Sequence, residues 1–250
     1  MFIALTNDDG IQAVGLRAMY AALRGAGHEV MVIAPMTEQS GTGHAVTLAM
    51  PLRVKAFKER DFTGFGVYGT PTDCVKLGLT QLLKKRPDLV VSGINGGANV
   101  GPDLLYSGTV AAATEAAYMG FPALAVSHDS FTANDVRDQA GHAARLIDAI
   151  RWNELPRRCV LNLNYPNRPV EESGGLAVCP QTLAAWSDRY TRREDPRGRP
   201  YWWLTGFVPE KDIEPGSDCD MLARGYITLT PLRFDFTDRE TLDRLDYLKA

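Results

Sequence analysis

An α/β fold is expected for this chain, with a Rossmann-like, mostly parallel sheet, flanking helices and a smaller C-terminal part. Two observations carry this reading. From Met1 to Ser127 the sequence repeats one theme: a short apolar run, a loop of Gly, Asn, Asp, Ser and Thr, then an amphipathic stretch. That is the rhythm of βα units on a parallel sheet. The 250 residues also suffice for one sizeable core without demanding a second.

The elements follow in order. Phe2-Ile3-Ala4-Leu5 reads as a buried strand, and Leu16, Met19, Tyr20 and Leu23 recur at helical spacing before Gly25 and Gly27 stop the helix. His28 to Ala34 is the next strand. Thr70-Pro71-Thr72-Asp73 combines a cap residue, a proline in the first turn and an acid, which predicts a helix through Val75, Leu79 and Leu82. Leu89 to Ser92 is a strand, Thr109 to Tyr118 a helix, and Ala123 to Val126 another strand. A helix from about Asp135 to Ile150 and a strand from Val160 to Leu163 extend the same layer. The Rossmann-like core is thus assigned to residues 1–166 and the C-terminal part to 167–250. Within the latter, about 185–207 mixes Trp186, Tyr190, Tyr201, Trp202 and Trp203 with five arginines, and no compact period fits. It reads as an extended arm or hairpin buried by a partner subunit, since a lone two-stranded hairpin is marginal in water. Tyr226 to Thr230 returns to strand character, and Asp238 to Leu248 has helical spacing.

The bulk numbers exclude several classes. No apolar run approaches the roughly 18 residues needed to span a bilayer, so no membrane partner is expected. The first hydrophobic segment is interrupted almost at once by Asn7-Asp8-Asp9, unlike a signal peptide, and a cytoplasmic location is expected. Cys74, Cys159, Cys179 and Cys219 form no C-x-x-C pair and read as free thiols. A net charge of -3 disfavours nucleic-acid binding by bulk charge but leaves small anions open.

Chemistry concentrates in the loops after predicted strands. Asn7-Asp8-Asp9-Gly10 sets two carboxylates where the first strand opens, at the edge where α/β folds bind ligands. A turn at Gly10 lets both face one point, where a hard cation offsets their repulsion. The same four residues also fit a plain turn with a helix cap. Pro35 to Gly43 and Gly93 to Asn99 follow two other strands, and parallel strands deliver such loops to one edge, so Ser40 and Asn95 can converge on Asp8 and Asp9. Tyr106-Ser107-Gly108-Thr109 opens a helix whose unpaired N–H groups form a phosphate seat or an ordinary cap. There is no G-x-x-x-x-G-K-[ST], no dinucleotide fingerprint after the first strand and no G-x-S-x-G elbow, which disfavours P-loop, nicotinamide and α/β-hydrolase chemistry. His28, His44, His128 and His142 lack ligand spacing, although His44 and His128 fall near the predicted site edge.

These segments resemble the SurE family of survival-protein nucleotidases. Thr6 to Gly10, Ala34-Pro35 with Glu38 to Gly41, Gly69 to Pro71 with Asp73 to Val75, Ser92 to Asn95 with Gly97 to Asn99, and Tyr106 to Val110 are similar to its signature segments in its order. So are Asp195 to Tyr201 and Gly225-Tyr226 to Pro231, so the resemblance runs over nearly the whole chain. It implies hydrolysis of nucleoside 5'- and 3'-monophosphates, with short polyphosphate as a further substrate. It implies one divalent cation per subunit, Mg or Mn, on Asp8, Asp9, Ser40 and Asn95, with Asp8 and Asp9 catalytic. It also implies that Asn95, Ser107, Gly108 and Thr109 bind the substrate phosphate, and that the C-terminal part makes a homodimer or homotetramer. Gln12 and Val14 stand where many members carry histidine and proline, and Met36 where many carry a polar residue, which touches substrate preference more than the metal site. Water is the expected nucleophile, because Ile11 rather than an acid stands two residues after Asp9. A non-catalytic nucleotide sensor on the same fold, or a scaffold working through the aromatic arm, fits the same residues.

Overall fold

The computed structural model describes residues 1–248. Six parallel strands form the centre of its sheet: β1 (Phe2–Thr6), β2 (Glu29–Pro35), then, past the short edge strand β3 (Val54–Lys58), β4 (Thr63–Val67), β5 (Leu89–Gly96), β6 (Ala123–His128) and β7 (Cys159–Tyr165). The C-terminal part adds β8 (Leu176–Val178), β9 (Ser187–Glu194), β10 (Pro200–Phe207) and β11 (Ile227–Arg233). The nine-stranded order is β3-β4-β2-β1-β5-β6-β7-β11-β8, with β3 and β11 antiparallel to their neighbours β4 and β7. From β1 the chain winds outward to β2 and β4, then returns to β5 on the other side of β1 and winds on through β6 and β7. The reversal makes the carboxyl ends of β1 and β5 a topological switch point, where such sheets bind ligands.

Four of the six α-helices among the described residues cover the central sheet: α1 (Val14–Gly25), α2 (Pro71–Leu77), α3 (Gly108–Tyr118) and α4 (Arg137–Ala149). Alternation along β1 divides the core. Ile3 and Leu5 pack with Leu16, Met19 and Leu23 of α1 and Ala140, Ala143 and Ile147 of α4. Ala4 faces the other layer, with Val75 of α2 and Val110, Ala113 and Ala117 of α3. The helix over Thr70 begins with the expected capping box, in which the Thr70 hydroxyl accepts from Asp73 N–H and the Asp73 carboxylate accepts from Thr70 N–H. Its α-helical part is short and continues as a wider turn over Gly78–Leu82. The remaining helices, α5 (Asp218–Ala223) and α6 (Arg239–Arg244), belong to the C-terminal part.

Past residue 166 the chain rejoins the main sheet, because β11 pairs along β7 and β8 pairs with β11. Between those two strands β9 and β10 form a separate two-stranded antiparallel sheet, so the extended arm is a hairpin. Tyr190, Trp202, Trp203 and Leu204 on it are all exposed in the single chain. Among the described residues no helix is long and apolar enough to cross a membrane.

Candidate active site

Asp8 and Asp9 lie just past the end of β1, and each is anchored by a different neighbouring loop. The Asn7 side-chain amide donates to Gly10 O at 2.9 Å and closes the turn. Asp8 is buried, and its carboxylate accepts from Thr109 N–H (3.1 Å) and from the Thr109 hydroxyl. Its main-chain carbonyl accepts from Gln39 N–H at 2.8 Å, which ties in the loop after β2. Asp9 accepts from Gly96 N–H at 3.1 Å, at the end of β5. The β5–β6 register shifts between Ser92 and Asn95, and this irregularity brings Asn95 and Gly96 to the Asp9 side.

Asp8, Ser40, Asn95 and Ser107 line one depression of about 520 Å³. Asp9, Ser40 and Asn95 line an adjoining one of about 320 Å³, together with Glu38 and His128. The loops after β1, β2 and β5 and the start of α3 therefore meet at one place. Asn95 donates its side-chain amide to Gly97 O (2.7 Å), and the Ser40 hydroxyl donates to Glu38 Oε1 (2.6 Å). Ser107 caps α3 by accepting from Val110 N–H at 3.1 Å. Thr109 is fully buried with its amide and hydroxyl both on Asp8. Gly108 lies against the same carboxylate, since a Cβ there would come within 2.9 Å of Asp8 Cβ and Oδ2.

The electrostatics are those of crowded, uncompensated acids. Burial, partly offset by the Thr109 bonds, raises the Asp8 carboxyl above its usual range. Burial first and the charge of Asp8 second push Asp9 up to about 6. Glu38 adds to both. Among the described residues no Lys, Arg or His forms an ion pair with Asp8 or Asp9. Nor is there a cluster of three His, Cys, Asp or Glu side chains arranged to hold a metal. The donor set is two carboxylates, a hydroxyl and an amide, all hard oxygens of the kind that magnesium and manganese take. Unpaired acids held together by their own loops fit a bound cation.

Of the two histidines at the expected edge, His128 lines the Asp9 depression, and burial lowers its imidazole below the usual range. His44 instead pairs with Glu115 at 2.8 Å. Several wall residues were not singled out from the sequence: Asp103, Asp129 and Phe131 line the larger depression, joined by Trp186, which the sequence marks only as part of the aromatic arm. Trp186, at the base of the hairpin, donates its indole N–H to Asp103 at 2.7 Å. Beneath the Gly97–Asn99 loop lies a buried amide network, in which Asn162 and Asn164 donate to Asn99 O and Asn99 donates to the Ser127 hydroxyl (2.8 Å). Runs such as Asn162-Leu163-Asn164 signal this only weakly, because a buried amide and an exposed one look alike in sequence.

Fold and site together define a doubly wound α/β protein with an acidic, oxygen-lined site at its switch point. The chain belongs to the SurE family, since the Survival protein SurE model matches residues 3–188. It is 65% identical over 245 residues to a 5'-nucleotidase SurE from Nitratidesulfovibrio vulgaris, covering 98% of this chain and 91% of the relative. It is 46% identical to a 5'-nucleotidase SurE from Syntrophobacter fumaroxidans, with 98% of each chain covered. Among solved structures, the SurE protein from Aquifex aeolicus superposes with a TM-score of 0.86 at 35% identity, over the whole of both chains.

Proposed function

We propose that the protein is a 5'-nucleotidase, a phosphomonoesterase that releases phosphate from nucleoside 5'-monophosphates. Full-length relatives of that name at up to 66% identity support the activity. The observation that carries the site assignment is the convergence of Asp8, Asp9, Ser40 and Asn95 from three separate loops, with no cationic side chain among the described residues paired to either acid. These four residues would hold one divalent cation, magnesium or manganese. When bound, it supplies positive charge against the phosphoryl oxygens and acidity to the attacking water.

The chain's own residues do the remaining work. Asn95, Ser107 and Gly108 cradle the phosphate at the start of α3, where the helix dipole favours an anion. Thr109 acts through Asp8, fixing the orientation of its carboxylate by two hydrogen bonds. Asp9 is less buried than Asp8, and one of the two acids also steers the attacking water. The hairpin is the oligomerisation element, and four free cysteines suit a reducing, cytoplasmic setting. The test is phosphate release from AMP and GMP, with 3'-AMP and tripolyphosphate as further arms, with and without EDTA. Metal-stimulated release from the 5'-nucleotides that is lost in Asp8→Asn is expected. Release that survives both EDTA and Asp8→Asn would sink the metal-ligand assignment, and no release under any condition would leave a nucleotide-binding protein instead.

A further inference from the structure

At the opposite edge of the sheet, where β6 and β7 begin, lies a second depression of about 390 Å³. Its lining includes Arg86, Arg157, Arg158, Trp152, Phe121 and Cys159, and no carboxylate. A six-residue strand separates this edge from the candidate active site, about 20 Å at the usual rise per residue. In a chain of net charge -3, three arginines around one concavity are a local reversal of sign. None of the ion pairs among the described residues involves them.

Two of the guanidinium groups are held in place. That of Arg86 lies 3.9 Å over the Phe121 ring and donates to Gly120 O at 2.7 Å. That of Arg158 lies 4.8 Å over the Tyr118 ring. The backbone adds an independent observation. Arg158 has φ of 63°, and among the described residues it alone adopts a left-handed conformation without being glycine. It sits in a four-residue turn closed by Cys159 N–H to Pro156 O at 3.3 Å, at the third position, where glycine or asparagine is the unstrained choice. Strained residues of this kind concentrate at binding sites.

We infer that Arg86, Arg157 and Arg158 form a second anion site that takes a phosphate group, separate from the candidate active site. Arginine forks match phosphate oxygens in pairs, and no acid among the described residues forms an ion pair with these three. The group arrives as inorganic phosphate or on a nucleoside monophosphate, and Trp152 offers an aromatic wall to the latter.

The experiment is calorimetric titration of the full-length protein in EDTA, with inorganic phosphate in one arm and AMP in the other. Arg158→Gly removes the charge while keeping the turn geometry, so it is expected to raise Tm and to weaken binding at least tenfold. Arg157→Ala is expected to weaken it similarly, whereas Ser107→Ala leaves this site's affinity unchanged. If AMP binds more tightly than phosphate and Trp152→Ala removes the difference, the ligand is a nucleotide, and equal affinities assign phosphate alone. Absence of saturable binding, or affinity unchanged in both arginine variants, would overturn the inference.

Discussion

Thr109 reads from the sequence as a phosphate ligand, but in the fold both of its donors are committed to Asp8. The two roles separate in kinetics. A hydrogen bond to a charged group contributes about 1.5–3 kcal/mol. Thr109→Val is therefore expected to lower kcat by roughly tenfold to a hundredfold with KM little changed. Thr109→Ser should restore most of the loss. A matching rise in KM would return Thr109 to the substrate. Asp9 governs a pH effect. Because its folded pKa of about 6 lies above the usual carboxylate value, the folded chain binds the extra proton more readily than the unfolded chain. In metal-free protein its contribution therefore favours folding below about pH 4 and is lost as pH rises toward 6. Asp9→Asn keeps an acceptor for Gly96 N–H and removes the repelling charge, so Tm without metal at pH 7 should rise, by about 2 °C if roughly 1 kcal/mol is relieved. Scanning calorimetry between pH 4 and 7 reads this. Protons and cations compete for the same oxygens, so the metal concentration for half-maximal activity should climb as pH falls from 7 to 5.

Helix placement against the sheet is set by small residues. In α1 a Cβ on Gly15 would come within 1.9 Å of Ile94 O, so this helix approaches the end of β5 only because residue 15 has no side chain. Gly15→Ala should force the two apart, destabilising by about 1–3 kcal/mol and weakening activity through the neighbouring Asn95. Thermal melts paired with turnover check this. The same scale explains what the sequence reveals and conceals. Apolar runs such as Leu89 to Ser92 and Ala123 to Val126 announce buried parallel strands. β3 and β4 give no such signal: Val54–Lys58 is mostly exposed with two lysines, and Thr63–Val67 contains two glycines. β8 is three residues long. The last helix, expected from Asp238 to Leu248, divides into Arg239–Arg244 and a short turn, Asp246–Leu248, since its helical spacing meets no core to bury against. At the site, the acids and polar loops were legible because their chemistry is local. The link from Thr109 to Asp8 was not, because the residues are 101 positions apart and only the sheet joins them.

The hairpin forms a sheet of its own, and its exposed Trp202, Trp203 and Leu204 call for a packing partner. Replacing Ser187–Phe207 by a short glycine-serine linker, while leaving Trp186 against Asp103, should convert an oligomer to a smaller species in light scattering. An unchanged mass would remove the hairpin from the assembly. The sheet order has another consequence, for biosynthesis. β7 pairs with β6 on one side, but its other side is closed by β11, whose last paired residue, Arg233, follows Tyr165 by 68 positions. At ribosomal speeds of about 5–20 residues per second, the nascent chain carries a bare, apolar strand edge for roughly 3 to 14 seconds. A stalled or truncated translation product therefore presents a ready template for aggregation, and this interval is when a chaperone has most to shield.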